Sequence, residues 1–208
     1  MDLNRNMIFA GCWDRQIRAI LFDTGVVDRA WLAANSAIKS LHLHENWLFS
    51  GSCESAIRAF DLDTGASKEY EGHESWVNCM ETYFVTDNEG NVTDTWLLSG
   101  SDDQTIRIWD MKTKKCLEKL QEHKNGVTCL ALTSRDQPCD SLYSCGQDHF
   151  TIFWDMKVIE KRIQENVTME REELLSRKEE AKYRYELAKF GRRRGKGKKG
   201  KGKKGKKK

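Results

Sequence analysis

The sequence predicts an all-β fold of repeated small sheets, followed by a charged α-helix and a disordered basic tail. Three observations support this prediction. Four hairpin-like segments recur in register, residues 156–190 contain no Gly or Pro, and residues 191–208 contain only Gly, Lys and Arg. The predicted domains are therefore the repeats at 1–155, the helix at 156–190 and the tail at 191–208.

The repeats appear as four segments that align without gaps. Each has two short apolar runs around a small polar centre, which is typical of a β-hairpin. One aligned position is occupied in the four segments by Gly11, Gly51, Gly100 and Cys145. A second set of aligned runs, at 37–41, 76–80 and 126–130, precedes the later hairpins. The pattern indicates about four short strands per repeat.

This period, together with Trp109-Asp110 and Trp154-Asp155, resembles the WD40 family of β-propellers. The resemblance implies a partial WD40 β-propeller of about three to four blades. In that family a His, a Ser or Thr, an Asp and a Trp of each repeat form a buried hydrogen-bonded chain. Carried over by position, the resemblance implies two such structural tetrads: His73, Ser99, Asp103 and Trp109, and His123, Ser144, Asp148 and Trp154.

The first two repeats depart from this pattern. The second has Ala34, Glu54 and Phe60 where the later repeats have His, Asp and Trp. The first lacks its opening strand and the His. We therefore expect the two blades that end in Trp109 and Trp154 to be the more stable pair.

The number of blades is too small for a closed ring. A ring needs about four to eight blades, and at roughly 40–45 residues per blade the first 155 residues supply about three and a half. An open arc exposes apolar faces at both ends. We expect a longer isoform to supply the missing blades, with self-association of two chains as the alternative.

The propeller resemblance implies protein partners at the turns of the narrow face. By position, the candidate partner-binding residues are Trp13, Trp76, Asp102 and Gln147. Trp13 has no role in the repeat and is a candidate binding anchor; packing against the missing blades is the alternative. The polar stretch 85–94 predicts a protruding hairpin loop, either a tolerated insertion or a contact loop.

The predicted helix is strongly charged, because 17 of its 35 residues are charged. A thin apolar stripe includes Ile159, Ile163 and Leu174. Glu173 and Arg177, four residues apart, would support the helix. Two interpretations stay open: a helix packed partly on the propeller, or a helix that pairs with a partner as in a coiled coil.

The tail concentrates positive charge. It holds 12 of the 35 Lys and Arg, which leaves 23 against 32 Asp and Glu in residues 1–190. Such a tail can neutralise phosphates without reading bases and is typical of nuclear-import signals. The candidate nucleic-acid-binding residues are Arg192, Arg193, Arg194, Lys196, Lys198, Lys199, Lys201, Lys203 and Lys204. The alternative is a solvating tail that contacts acidic proteins.

Several functional classes are not expected. A mean hydropathy of −0.71 and the absence of a long apolar run disfavour a membrane or secreted protein. Seven cysteines without a Cys-x-x-Cys pair predict reduced thiols in the nucleus, nucleolus or cytoplasm. No catalytic constellation, metal site or cofactor site is predicted, so we expect no enzyme.

The predicted function is a scaffold for protein–protein interactions, with a basic tail for nuclear targeting or non-specific RNA or DNA contact. The alternative is an RNA-binding or ribosome-associated factor whose main activity lies in the tail. Some large nuclear zinc-finger proteins end in a WD40 propeller, and the chain resembles such a C-terminal portion. One sequence does not identify the partner, because propellers share a frame and differ in surface.

Overall fold

The computed structural model describes residues 6–87, 89–133 and 140–195, and helix side chains as far as Lys182. In this part of the chain, fourteen strands are followed by one helix, α1 (Met156–Gly195). The strands are β1 (Met7–Gly11), β2 (Gln16–Leu21), β3 (Val27–Leu32), β4 (Ile38–His44), β5 (Trp47–Ser52), β6 (Ile57–Asp61), β7 (Ser67–Tyr70), β8 (Val77–Thr86), β9 (Val92–Ser101), β10 (Ile106–Asp110), β11 (Cys116–Leu120), β12 (Val127–Leu132), β13 (Ser141–Gly146) and β14 (Thr151–Asp155).

The described strands form four antiparallel sheets, one for each sequence repeat. The first sheet contains β1–β3, the second β4–β7, the third β8–β11 and the fourth β12–β14. Within each sheet the strands pair in chain order. The predicted all-β partial propeller is confirmed: these sheets do not close into a barrel within the described residues, and a helix follows them.

Consecutive sheets approach each other closely at one glycine in each of the first three repeats. A Cβ atom on Gly51 would lie 2.7 Å from the Val77 carbonyl oxygen, and one on Gly100 would lie 2.6 Å from Cγ1 of Val127. Val77 and Val127 begin the first strands of the next sheets. Because both distances are far below van der Waals contact, this spacing of the sheets requires glycine. The fourth sheet, the last in the described chain, has Cys145 at the aligned position.

The hydrophobic core lies between the sheets. One cluster joins the first and second sheets and consists of Ile17, Ala33, Ala34, Ile38, Leu48 and Leu62. Another joins the second and third sheets and consists of Phe49, Ile57, Ala59, Tyr70, Val77, Met80, Leu97 and Trp109. Apolar residues alternate along the strands, so each sheet contributes one face to each interface.

The fourth sheet has three strands because the chain turns into a helix where a fourth strand would begin. Asp110 accepts hydrogen bonds from the backbone N–H groups of the next turn, which continues through Lys114 at φ +65° into β11. Asp155 accepts the same bonds from Lys157 and Val158 at 3.0 and 3.2 Å. Ile159 stands where Lys114 stands in the third repeat. A β-branched residue strongly disfavours positive φ, so Asp155 becomes the N-cap of α1 instead.

A buried hydrogen bond holds the first turn of α1. The Tyr83 hydroxyl donates to Oε1 of Glu160 at 2.5 Å, and both side chains are buried. Tyr83 lies on β8 at the position that His44 occupies on β4. Within the hairpin loop predicted at 85–94, β8 continues to Thr86 and β9 begins at Val92, and these two residues pair.

The chain divides into two compact units, residues 1–160 and 161–208. In the second unit α1 continues to Gly195, five residues beyond the predicted boundary at 190, and arginine has a high helix propensity. The expected pair of Glu173 and Arg177 forms at 3.3 Å. The rest of the predicted disordered tail, 196–208, lies outside the described residues. No helix among the described residues is long and apolar enough to cross a bilayer.

Candidate interaction face and its supporting tetrads

His73, Ser99, Asp103 and Trp109 form one hydrogen-bonded chain in the third sheet. Nε2 of His73 lies 2.7 Å from Oγ of Ser99, and its Nδ1 lies 2.8 Å from Oδ2 of Asp103. Trp109 donates its indole N–H to Oγ of Ser99 at 2.8 Å. His73, Ser99 and Trp109 are buried. The chain therefore ties the loop before β8 to β9, β10 and the turn between them.

Donors and acceptors in this chain determine the protonation pattern of a neutral His73. An ionised Asp103 can only accept, so Nδ1–H of His73 donates to it. Trp109 can only donate to Ser99, which leaves the Ser99 hydroxyl hydrogen for Nε2. Every polar atom of the chain is then satisfied, as burial requires.

The fourth sheet repeats the arrangement with His123, Ser144, Asp148 and Trp154. Nε2 of His123 lies 2.8 Å from Oγ of Ser144, and its Nδ1 lies 2.9 Å from Oδ2 of Asp148. Trp154 donates its indole N–H to Ser144 at 2.8 Å. Trp154 is half-buried, whereas Trp109 is fully buried.

The two aspartates have lowered pKa values. Burial alone would raise the pKa of Asp103, but hydrogen bonds, foremost from His73, outweigh it and hold this pKa well below its ordinary value. For Asp148 burial also opposes ionisation, yet the Lys124 backbone N–H and the His123 ring lower the pKa to about 2. Both carboxylates are therefore ionised at neutral pH.

The second sheet satisfies its turn acid without a histidine. Oε1 of Glu54 accepts the backbone N–H of Asn35 at 3.0 Å, as Asp103 accepts that of Glu74 at 3.0 Å. The other oxygen of Glu54 pairs with Arg58 at 3.0 Å. An arginine four residues downstream thus replaces the missing histidine.

The first sheet uses the same substitute, since Asp14 pairs with Arg18. The third repeat also has an arginine at this position, Arg107, which lies 5.8 Å from the Trp109 ring centre. Sequence reasoning missed these arginine pairs. The available signal was an Arg four residues after the turn acid in the two repeats that lack His.

Three of the four predicted partner-binding residues lie close together. The Asp102 backbone N–H donates to the Trp76 carbonyl at 2.9 Å, and the Gln147 side-chain amide donates to Asp102 Oδ1 at 3.5 Å. Lys39 Nζ lies 4.8 Å from the Trp76 ring centre, within cation–π range. We call Lys39, Trp76, Asp102 and Gln147 the Trp76 patch. It spans the second, third and fourth sheets.

The carboxylate of Asp102 has a structural partner in this patch. Asn78, which sequence reasoning did not identify, donates its amide N–H to Oδ1 of Asp102 at 2.6 Å and to the Val127 carbonyl at 2.9 Å. This bridge joins the third sheet to the fourth. Trp76, with 42% of its surface exposed, is the main apolar group that the patch offers to a partner.

Trp13, the fourth candidate, lies on the turn between β1 and β2 and is 81% exposed. Among the described residues, no contact joins it to the Trp76 patch. In the later sheets the aligned residue donates its backbone N–H to the residue before the first strand, as Asp102 does to Trp76. The described part of the first sheet has no such strand. Trp13 is therefore exposed on a turn that, among the described residues, has no such strand beside it.

The predicted nucleic-acid-binding residues fall at or beyond the end of the described chain. Arg192, Arg193 and Arg194 lie in the last turns of α1, where only the backbone is described. The six lysines from Lys196 to Lys204 lie outside the described residues. Within the described ranges, no group of three or more His, Cys, Asp and Glu side chains is placed to hold a metal ion.

A family model described as the LRRK2 beta propeller matches residues 18–168. The chain belongs to this β-propeller family. The match begins in β2, includes both tetrads and the Trp76 patch, and ends inside α1. It supports a WD40-like propeller, and it does not concern zinc fingers or the nucleus. No curated protein matches the sequence.

The lowered pKa values of Asp103 and Asp148 predict a loss of stability in acid. An unfolded aspartate takes up its proton near pH 4, while the folded Asp148 stays ionised to about pH 2. Lowering the pH through this window therefore favours the unfolded chain. We expect the melting temperature to fall between about pH 4 and pH 2, measured by circular dichroism. Asp148→Asn should melt lower at pH 7 and lose less on acidification.

Asp28→Asn, at an exposed position of β3, is the matched control for this experiment. It should follow the acid profile of the unchanged protein. An Asp148→Asn profile parallel to that of the unchanged protein would show that the tetrad does not cause the acid sensitivity.

Proposed function

We propose that this chain is a non-enzymatic scaffold that binds protein partners at its turn face, with the Trp76 patch as the contact. A β-propeller fits a protein-interaction scaffold. The observation that carries the proposal is Trp76, which is 42% exposed although the sheets on both sides of it are present. An exposed indole beside a lysine is a common kind of binding anchor.

The sheets beneath the patch suit this role because they are held rigidly. The tetrads connect the turns to the strands, and Asn78 connects Asp102 to the fourth sheet. Both tetrad histidines are engaged by a Ser and an Asp, so neither ring offers a free nitrogen for proton transfer. Pre-organised turns reduce the entropy lost on binding. These features favour docking over catalysis.

Trp76→Ala should weaken partner binding strongly. Truncation of a central aromatic anchor commonly costs about 2 kcal/mol or more, which is roughly a 30-fold loss of affinity. The measurement is affinity purification of the tagged full chain from cells, with quantitative mass spectrometry. Val92→Ala, at another exposed apolar position on the long hairpin, is the matched control and should retain the partners.

Two further experiments distinguish the scaffold function from that of an RNA-binding or ribosome-associated factor. Trp13→Ala tests whether the other exposed indole contributes. Deletion of 191–208 and nuclease treatment test the tail. Partners retained by Trp76→Ala but lost on nuclease treatment would contradict the scaffold proposal and favour an RNA-binding or ribosome-associated factor.

We propose a second role for the basic tail, in nuclear targeting and non-specific contact with nucleic acid. The supporting observation is its composition, with 12 positive charges in 18 residues and no apolar side chain. Each Lys or Arg that meets a phosphate displaces a condensed counterion, so such binding is driven by ion release. The absence of aromatic residues after Phe190 leaves no platform for base stacking.

Binding by the tail should depend steeply on salt. With about six or more phosphate contacts, affinity for duplex DNA should fall by about 10³-fold or more between 50 and 200 mM salt. Fluorescence anisotropy with a labelled duplex measures this. A chain with Gln at the nine predicted positions should lose the binding and, as a fluorescent fusion, its nuclear accumulation. Affinity that barely changes with salt would contradict phosphate contact.

We propose, thirdly, that further propeller sheets of a longer form of this protein cover the exposed end faces. Tyr143 and Phe153 in the fourth sheet are 39% and 55% exposed. Their aligned residues in the third sheet, Leu98 and Ile108, are 0% exposed because another sheet follows. A zinc-finger protein with a terminal propeller would be one such longer form, and this placement stays a prediction.

The 208-residue chain alone should therefore associate through these faces. Multi-angle light scattering after size exclusion should give a mass above the 24.1 kDa of one chain, increasing with concentration. Phe153→Lys should reduce the association. A discrete dimer would favour closure by a second copy instead, and a compact 24.1 kDa monomer that does not bind a hydrophobic dye would contradict both accounts.

A further inference from the structure

A cleft with a volume of about 370 Å³ lies between the first and second sheets. Arg29 and Trp31 of β3 line one side, and Phe60, Leu62 and Gly65, at and after the end of β6, line the other. This volume is within the range of clefts that bind ligands. The cleft shares no residue with the Trp76 patch.

The floor of the cleft is an aromatic pair. The rings of Trp31 and Phe60 meet edge to face, with centres 6.1 Å apart. The aligned pair between the second and third sheets, Tyr70 and Trp109, has the same separation, but both of its members are fully buried. Trp31 and Phe60 stay partly exposed. The aromatic pair is therefore accessible at the interface between the first and second sheets, whereas the aligned pair between the second and third sheets is buried.

The polar groups at the two interfaces also differ. Between the second and third sheets, the Tyr70 hydroxyl donates to the Met111 carbonyl, Lys68 lies 4.0 Å from the Trp47 ring centre, and Lys112 pairs with Asp94 at 3.0 Å. The cleft there is smaller, about 210 Å³, and the residues that make these contacts line it.

Arg29 is aligned with Lys68 and, like it, lies near an aromatic ring. Its guanidinium lies 5.8 Å from the Trp31 ring centre and makes one hydrogen bond, at 3.4 Å, to the Leu62 carbonyl. Among the described residues no carboxylate lies within ion-pair distance of it. Asp61, an acid that lines the cleft, accepts hydrogen bonds from the Asn46 side chain at 2.7 Å and from backbone N–H groups of its own turn. The cleft therefore joins an aromatic floor to a cation without an anionic partner.

We propose that this cleft binds an acidic peptide segment, with an aromatic side chain on Trp31 and Phe60 and an adjacent carboxylate on Arg29. A guanidinium and a carboxylate form strong paired hydrogen bonds, and an aromatic ring adds edge-to-face contact with the floor. Repulsion from the acidic surface of residues 1–190 is limited at physiological salt, because screening acts over about 8 Å. This site is independent of the proposed turn-face contact.

The probe is the capped peptide Glu-Phe-Glu, titrated into the ¹⁵N-labelled full chain at 0.15 M salt. The Trp31 indole N–H signal, assigned by its loss in Trp31→Phe, should shift and saturate. Arg29→Gln should raise Kd about tenfold or more, because it removes a charge-assisted hydrogen bond. Lys68→Gln, the aligned cation of the next interface, should leave Kd unchanged.

Phe60→Trp provides a filling variant. Trp109 occupies the aligned position in the third sheet, so the fold accepts an indole there, and the larger ring should fill the cleft and abolish binding. Dispersed indole signals verify folding, and Trp76→Ala should bind the peptide normally. The proposal is overturned if Glu-Phe-Glu does not shift the Trp31 signal at millimolar concentration. It is equally overturned if Gln-Phe-Gln binds as well, or if Arg29→Gln and Lys68→Gln have the same effect.

Discussion

Each sheet of this chain has two apolar faces, and a face can leave water only by packing on a neighbouring sheet. The close approach at Gly51 and Gly100 is what makes that packing tight, because any side chain there would collide with the next sheet. The two core clusters between the first three sheets follow from it. So do the exposed rings of Tyr143 and Phe153, which repeat buried positions of the third sheet. The same constraint thus explains both the core and the apolar ends.

Every sheet must also satisfy an acid at one hairpin turn, which joins β1 to β2 in the first sheet and the second strand to the third in the other sheets. A carboxylate that loses water needs donors. In the later sheets a histidine from the preceding loop supplies one, and the pKa of Asp148 falls to about 2. In the earlier sheets Arg18 and Arg58 supply the charge from within the hairpin. The histidine also connects the turn to the loop before the first strand.

The cleft, the helix and the exposed Trp76 all lie at positions where this chain departs from the repeat pattern. Phe60 and Trp31 stand where the next interface has a buried Trp and Tyr, and a cleft opens beside Arg29. Ile159 stands where a turn needs positive φ, and the chain becomes a helix with Asp155 as its cap. Trp76 lies beside Lys39 and is 42% exposed. A regular frame with such local exceptions is well suited to binding, because the frame holds the exceptional side chains in place.

The repeat spacing predicted the sheet architecture and the order of the strands, and the WD40 resemblance that it carries implied the residues of the two tetrads, because these depend on residue types at fixed intervals. It did not reveal the arginine pairs, the Asn78 bridge or the strand pairing within 85–94, since each depends on which groups meet across strands or sheets. The exposures of Trp13 and Trp76 likewise required the structure. Trp13 lies on the first sheet, of which three strands are described, whereas Trp76 lies at a four-stranded sheet with a sheet on each side. Only tertiary packing distinguishes the two positions. Burial and unpaired charge are properties of neighbours in space, which the linear order of residues does not specify.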